Sequence, residues 1–473
     1  MVHGTGKPVE LAPFKTGAST LLAFSTIFSI ASCTSKSEQN GSAGTFKIIG
    51  KVANTSDFSD VTVQITSVQS GLTSKTLILT AAEERPNSSG ELLIGVEIGC
   101  YNMSVIKPGF RSRGFENVCV NDSTPEYDLG QIGLSVERRF VMTASLDKYV
   151  FMAGGYNSDS MYSTVDVLDV TTGKMDVANL SKRRARGVGV AVGNKAIFAG
   201  GEACESEGYS SCAISSIVDI FDISSKTWSA TSLSTARLDL AAGVTSDGYA
   251  VFAGGSTATG ASNVVDIFNS NTGAWSTATL PAARFGMSAI AVGTKIFFAG
   301  GSGPDSSGVT KTTRIDVFEP STGIWTVENL SVARRYFPTV KVGTKLLFAG
   351  GQLDCWPCSA SGVVDIYDIS NGSWSTATLS TPRELLVGAS DGVIAVFAGG
   401  EANGSQGTDK VDIYDSSTDT WSTSVLSQAR TNIAVAVNGN KAYFVGGNLD
   451  SQGFSNVIDV FDFASKSFVS SSF

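Results

Sequence analysis

Ile296-Phe297-Phe298-Ala299-Gly300-Gly301 is an apolar run closed by a glycine pair, and its recurrence decides the fold. Pairs of this kind end at Gly155, Gly201, Gly255, Gly301, Gly351, Gly400 and Gly447. Sixteen residues before the first glycine of each pair, seventeen in the third, stands an arginine: Arg138, Arg184, Arg237, Arg284, Arg334, Arg383 and Arg430. Downstream come Asp166, Asp219, Asp266, Asp316, Asp365, Asp412 and Asp459, each between two β-branched residues. Two residues past each aspartate is Leu168, Phe221, Phe268, Phe318, Tyr367, Tyr414 or Phe461, and seven further on is Met175, Trp228, Trp275, Trp325, Trp374, Trp421 or Phe468. Arg138 to Phe473 is 336 residues, or seven units of 48. Self-similarity at a fixed period signals a repeat architecture.

Each unit holds four short β-runs: an alternating one such as Ile433 to Val437, the apolar run into Gly-Gly, the aspartate-bearing run and the tryptophan-bearing run. The glycine pair, the aromatic after the acid and the spaced tryptophan resemble kelch repeats. The resemblance implies an all-β chain whose residues 135–473 form a seven-bladed kelch-type β-propeller. Blades 1 and 7 lack the tryptophan and would meet at the closure. Each carries its own four strands, so no strand exchange between the two ends is expected.

Composition narrows the chemistry. Of 473 residues, 51 are glycine, above the average of about 7%, and 16% are charged against about 25% on average, which disfavours helices. The one histidine is His3. A histidine base, a histidine metal site or a Ser-His-Asp triad therefore has no residue to use in the body of the chain, and neither metal nor cofactor is expected. The net charge is −9 with no run of basic residues, so nucleic acid is not an expected partner. Hydrophobic residues, 42% of the chain, suffice for a large core.

The N-terminal part reads as an address followed by a spacer. Lys7 and Lys15 precede the apolar stretch Leu21 to Ile30, too short to span a bilayer of about 30 Å. It ends in Ile30-Ala31-Ser32-Cys33, which resembles the lipobox of bacterial lipoproteins. The resemblance implies that residues 1–32 are a signal peptide and that Cys33 becomes the lipidated N-terminus, with Thr34 favouring the outer membrane or cell surface. Ordinary secretory cleavage, leaving Cys33 a spare thiol, is the alternative. Residues 33–44 are a flexible tether. Residues 45–134 carry strand-like runs at 46–52, 61–67, 76–80, 92–97, 102–107, 117–121 and 127–134. Gly99-Cys100-Tyr101-Asn102-Met103-Ser104-Val105, Pro108-Gly109-Phe110 and Asp128-Leu129-Gly130-Gln131-Ile132 resemble a carboxypeptidase regulatory-like domain. That implies a small β-sandwich whose role is spacing or presentation.

The repeated residues read mainly as structural. An arginine and an aspartate once per blade are expected to pair across strands, since a buried charge without a partner is costly. A ring of binding charges is the alternative. The periodic aromatics read as inter-blade core. Gly-Gly follows a strand but opens no helix, which weakens any phosphate-cradle reading.

Variation between repeats points to function. The loop from the second glycine to the aspartate runs from 11 residues in blade 1 to 18 in blade 2, whereas the other turns are short and constant. Loops on a rigid scaffold are where binding resides, so the partner surface is expected on that face, chiefly on blades 2, 4 and 5. The position two past each arginine, which in kelch domains often looks into the channel mouth, is Phe140, Arg186, Asp239, Gly286, Tyr336, Leu385 or Asn432. Arg186, Asp239, Tyr209, Tyr336, Trp356 and Asn432 are the candidate contacts for a protein or glycan partner. Arg186 and Asp239 could instead neutralise each other, and any single position could be a solvated loop residue.

Six cysteines besides Cys33 fall in local pairs, Cys100 with Cys119, Cys204 with Cys212, and Cys355 with Cys358, as expected of disulfides in an exported chain. Cys355-Trp356-Pro357-Cys358 resembles a redox tetrapeptide but interrupts a β loop, where no helix N-terminus lowers the thiol pKa, and reads as a staple. Two function classes remain: a membrane-anchored, non-enzymatic binding or scaffold module, and a carbohydrate-active enzyme, sugar isomerase-like, at the channel mouth. A copper oxidase fails for want of histidine ligands.

Overall fold

The computed structural model describes the backbone of six strands between residues 46 and 133. It then describes residues 137–469, except 206–208, 210, 306–307, 354–359, 403–405 and 450–452. Cys33, the leader, the run at 76–80 and the Cys355–Cys358 segment with Trp356 lie outside the described residues. The described chain is all-β, and none of its segments is a helix.

The N-terminal strands are β1 (Phe46–Ala53), β2 (Thr62–Ser67), β3 (Glu91–Val96), β4 (Gly99–Ile106), β5 (Arg113–Val120) and β6 (Glu126–Gly133). They form two three-stranded sheets, ordered β3-β1-β6 and β2-β4-β5. β1 pairs antiparallel with β3 and parallel with β6. Cys100 and Cys119 lie opposite each other across β4 and β5.

From residue 142 onward the sheets repeat. Seven antiparallel sheets each order four strands as they follow in sequence; the third, for example, comprises Ala241–Val244, Tyr249–Ala253, Val264–Asn269 and Trp275–Thr279. The sixth adds a short fifth strand, Glu401–Ala402. Every sheet is built from one contiguous stretch, so neither the first nor the seventh borrows a strand from the other. The innermost strands of successive sheets touch, and that of the seventh, Ala434–Asn438, touches that of the first, Met142–Leu146.

The apolar second strand is uniform because both its faces are buried. Successive strand residues point to opposite faces. Ala250 and Phe252 pack with Ile197 and Ala199 of the preceding sheet, and with Leu240 at the head of their own. Val251 and Ala253 pack with Ile296, Phe298 and Phe318 of the next. Phe252 is fully buried, worth roughly 1.5–3 kcal/mol for such a side chain. Alternation of polar and apolar residues, the usual strand signature, is thus confined to strands with one wet face.

The seven-residue spacing from aromatic to tryptophan is a hairpin spacing. Phe221 faces Trp228, Phe268 faces Trp275, Phe318 faces Trp325 and Tyr367 faces Trp374 across the third and fourth strands. Ring centroids in these pairs lie 4.2–5.3 Å apart. Cross-strand aromatic pairs of this kind stabilise a sheet edge.

The repeat arginine ties each sheet to the one before it. The Arg184 guanidinium lies in its own sheet, donating to the carbonyls of Phe198, Gly200 and Ile217 at 3.0, 2.9 and 2.7 Å and pairing with Asp219 at 2.6 Å. Arg237–Asp266, Arg284–Asp316, Arg334–Asp365, Arg383–Asp412 and Arg430–Asp459 are likewise ion-paired and buried. Arg138 donates to Thr164 and Met152 carbonyls. Burial lowers the guanidinium pKa of all six paired arginines, and the aspartate opposes that shift. Meanwhile the arginine's own carbonyl accepts from the second glycine of the previous sheet: Gly155 to Arg184, Gly201 to Arg237, Gly255 to Arg284, each 2.8 Å, and so on round to Gly447 to Arg138 at 3.2 Å, which closes the circuit.

That circuit explains the glycine pairs. The first glycine has φ near +60° and the second near +100°, values side chains resist. A Cβ on Gly200 would stand 2.7 Å from the Arg237 carbonyl oxygen, and one on Gly350 would stand 2.6 Å from that of Arg383.

Candidate functional site

Three consecutive residues at each repeat junction build one end of the ring of sheets. The repeat arginine is anchored as described. The residue after it pairs with the residue after Gly-Gly of its own sheet, as in Leu238 with Ser256, Phe285 with Ser302, Arg335 with Gln352, Glu384 with Glu401 and Thr431 with Asn448. The collar of residues that comes next therefore shares its face with the variable loops. Those loops fold into short hairpins, such as Glu202–Cys204 with Cys212–Ile214, Ser256–Thr257 with Gly260–Ala261 and Ser302–Asp305 with Gly308–Lys311. Hairpins of two to four residues carry too little periodicity to be read from sequence. Cys204 and Cys212 are disulfide-bonded across the first of these.

The third residue of each junction is Phe140, Arg186, Asp239, Gly286, Tyr336, Leu385 or Asn432, and all seven have φ between 51° and 65°. For a residue with a Cβ the left-handed region costs roughly 1–2 kcal/mol. Backbone hydrogen bonds from sheet to sheet hold the conformation: Asp239 N–H donates to Arg186 O at 3.1 Å, Gly286 to Asp239 at 3.2 Å, Tyr336 to Gly286 at 3.1 Å and Leu385 to Tyr336 at 3.2 Å. The inner strands start two or three residues later.

All seven collar residues line a single cavity of about 430 Å³. Arg186 and Asp239 form a two-point ion pair, with Nε–H to Oδ1 at 3.2 Å and Nη2 to Oδ2. Burial alone would lower the Arg186 guanidinium, but hydrogen bonding to Asp239 raises it on balance. Burial, with the Asp239 charge, raises the Tyr336 phenol. The Tyr336 ring leans over Gly286, where a Cβ would lie 2.8 Å from it. Asn432 donates to Thr431 Oγ1 at 3.2 Å, and Thr339 donates to Ser288 at 2.7 Å on the wall. Met287, Leu386 and Ile433 belong to its apolar part. Asp239 is the one carboxylate among the lining residues.

No family model matches the chain, and none of the curated proteins matches it. Among solved structures it is similar to YjhT, at 15% identity and a TM-score of 0.49, over 61% of this chain and 98% of that one. At that level the likeness assigns no residue a role.

Of the sequence-derived candidates, Arg186, Asp239, Tyr336 and Asn432 come together in the cavity. Tyr209 lies apart from its lining: 43% exposed, it donates its hydroxyl to Asn157 O and meets Tyr156 edge-on at 5.9 Å. Sequence reading missed the residues one step before the collar. Arg139 lies over Tyr156, Phe454 and Phe140, at 4.9, 5.3 and 5.4 Å from their ring centres. Arg335 lies 4.8 Å over Tyr336 and donates to Gln352 at 2.7 Å. Glu384 is buried, and its carboxyl is raised by burial first and by Glu401 second. The signal was available, since each sits one past a repeat arginine, but seven unlike side chains at one register conceal it.

Proposed function

We propose that the chain is an exported, lipid-anchored binding module without enzymatic activity: a seven-bladed kelch-type β-propeller presented by a tether and a small carboxypeptidase regulatory-like sandwich. The observation that carries the reading is the convergence of all seven collar positions on one cavity of about 430 Å³ with aromatic, neutral polar and ion-paired walls. Sites of that size and mixed lining suit compact ligands. The seven sheets and the Gly447 to Arg138 closure support the propeller. A carbohydrate-active enzyme is the second reading. Against it stands the single lining carboxylate, Asp239, which is paired with Arg186, whereas glycoside hydrolysis uses two carboxylates.

The test is a glycan array and affinity capture with the full chain, comparing wild type with Asp239→Ala and Tyr336→Ala. Val393→Ser serves as control, on the exposed turn at the other end of its inner strand. Loss of binding in the first two alone supports the mouth; loss only in the control moves the site to the opposite face. Metabolic labelling with palmitate, present in wild type and absent in Cys33→Ser, tests the anchor.

A further inference from the structure

Arg139 differs from the repeat arginines beside it. Each of the six ion-paired ones has an aspartate and two or more backbone acceptors. The Arg139 guanidinium has three aromatic rings around it instead; an Nε without an acceptor among the described residues it shares with Arg184, Arg284, Arg334 and Arg430. No carboxylate of the described residues pairs with it. Stacking holds a guanidinium by its face and leaves the N–H fork in its plane unused. A planar fork of donors matches a carboxylate at two points.

We propose that Arg139 anchors the carboxylate of an acidic sugar, a hexuronate-type ring, whose hydroxyl-bearing body occupies the mouth cavity; this rests on the mouth being the binding site. Phe140 joins the two, since its ring lines the cavity and lies 5.4 Å from Arg139 and 5.8 Å from Arg186. The cavity itself is charge-balanced. Arg186 and Asp239 offer a donor and an acceptor as one neutral unit, and Asn432, Ser288 and Tyr336 add both kinds, a set suited to vicinal hydroxyls rather than to a second charge. Main chain at the rim is engaged: Arg139 and Tyr156 exchange N–H to O bonds of 3.0 and 3.1 Å, and the N–H groups of Asp239, Gly286, Tyr336 and Leu385 bond to the neighbouring sheet. An extended acidic peptide, which gains affinity by adding a strand to an open edge, finds none there.

Titration calorimetry with the full chain in detergent compares glucuronate and galacturonate with glucose and galactose, and with an acetylated Glu-Glu dipeptide amide. Each uronate is expected to bind about ten- to a hundredfold tighter than its hexose, the worth of one charge-assisted hydrogen bond. Arg139→Gln should erase that preference and leave hexose affinity unchanged, Arg139→Lys should retain part of it, and Val393→Ser, at the other end of its inner strand, should leave it intact. A preference that survives Arg139→Gln, equal weakening of both sugar classes, or dipeptide binding tighter than uronate would each overturn the assignment. Binding of hexoses without gain for uronates rejects the carboxylate anchor while sparing the mouth. Failure of every sugar in wild type sinks both.

Discussion

The buried arginine–aspartate pairs are the most demanding residues in the chain, because each guanidinium satisfies several carbonyls as well as one carboxylate. Replacing Arg237 by Ala leaves Asp266 buried without its charge partner and strips the carbonyls of Gly254 and Val264 of a donor. The expected loss is about 3–5 kcal/mol in chemical denaturation. Gly200→Ala should cost more than Gly273→Ala. Both have positive φ, costing about 1–2 kcal/mol, but a Cβ on Gly200 also strikes the Arg237 carbonyl, whereas one on Gly273 meets open space. The difference between their denaturation midpoints isolates the contact between sheets, and equal losses would refute it. Glu384 acts in the opposite sense to the pairs. Its folded pKa is raised above the ordinary carboxyl value, so folding holds its proton more tightly than the unfolded chain does, and stability drops as pH rises through that folded pKa. Glu384→Gln should therefore match or exceed wild type in melting temperature at pH 7, and that advantage should shrink towards pH 4; an advantage that grows on acidification contradicts the burial argument.

At the scale of elements, the Glu202–Cys204 and Cys212–Ile214 hairpin is too short to persist alone and is stapled by its disulfide. The Cys204→Ala/Cys212→Ala double variant should lose about 2–3 kcal/mol by the loop-entropy estimate, read from the denaturation midpoint under oxidising conditions. Which elements were legible from sequence follows from their length and burial. The second strands, ending in four unbroken apolar residues before Gly-Gly, and the aromatic–tryptophan hairpins are fixed by local spacing, and each lies where its pattern puts it. The collar was half legible. Counting two past each arginine names its seven positions and sets Arg186 one repeat before Asp239, which made their pairing one of the readings, but the caging of Arg139 by Tyr156 and Phe454 depends on contacts between repeats 1 and 7. No local pattern encodes those, because the partners are set by which loops the ring brings side by side.

For the molecule as a whole, the junction of first and last sheets is made by packing, hydrogen bonds and the stacking of Arg139 on Phe454. Thr143 donates to Val435 O at 2.7 Å, Asn438 to Asp147 O at 2.8 Å and Gly447 to Arg138 O at 3.2 Å across the junction of first and last sheets. Thr143→Val with Asn438→Ala should cost about 0.5–1.5 kcal/mol per bond, and unfolding should remain a single transition, since each second strand contributes to two interfaces. A separate early transition of the seventh sheet would show the closure to be weaker than the other junctions. The collar has a consequence of another kind. Its backbone keeps one conformation at all seven positions, bonded from sheet to sheet along Arg186, Asp239, Gly286, Tyr336 and Leu385, so the identity of a collar side chain is decoupled from the shape of the scaffold. Seven cavity-lining positions share one geometry, with φ held within 51–65°, and already accept an aromatic, a cation, an anion, an amide, an aliphatic side chain and glycine. Such a scaffold is modular: recognition can be rewritten one position at a time, and a library randomised at these seven residues should yield folded proteins of altered selectivity.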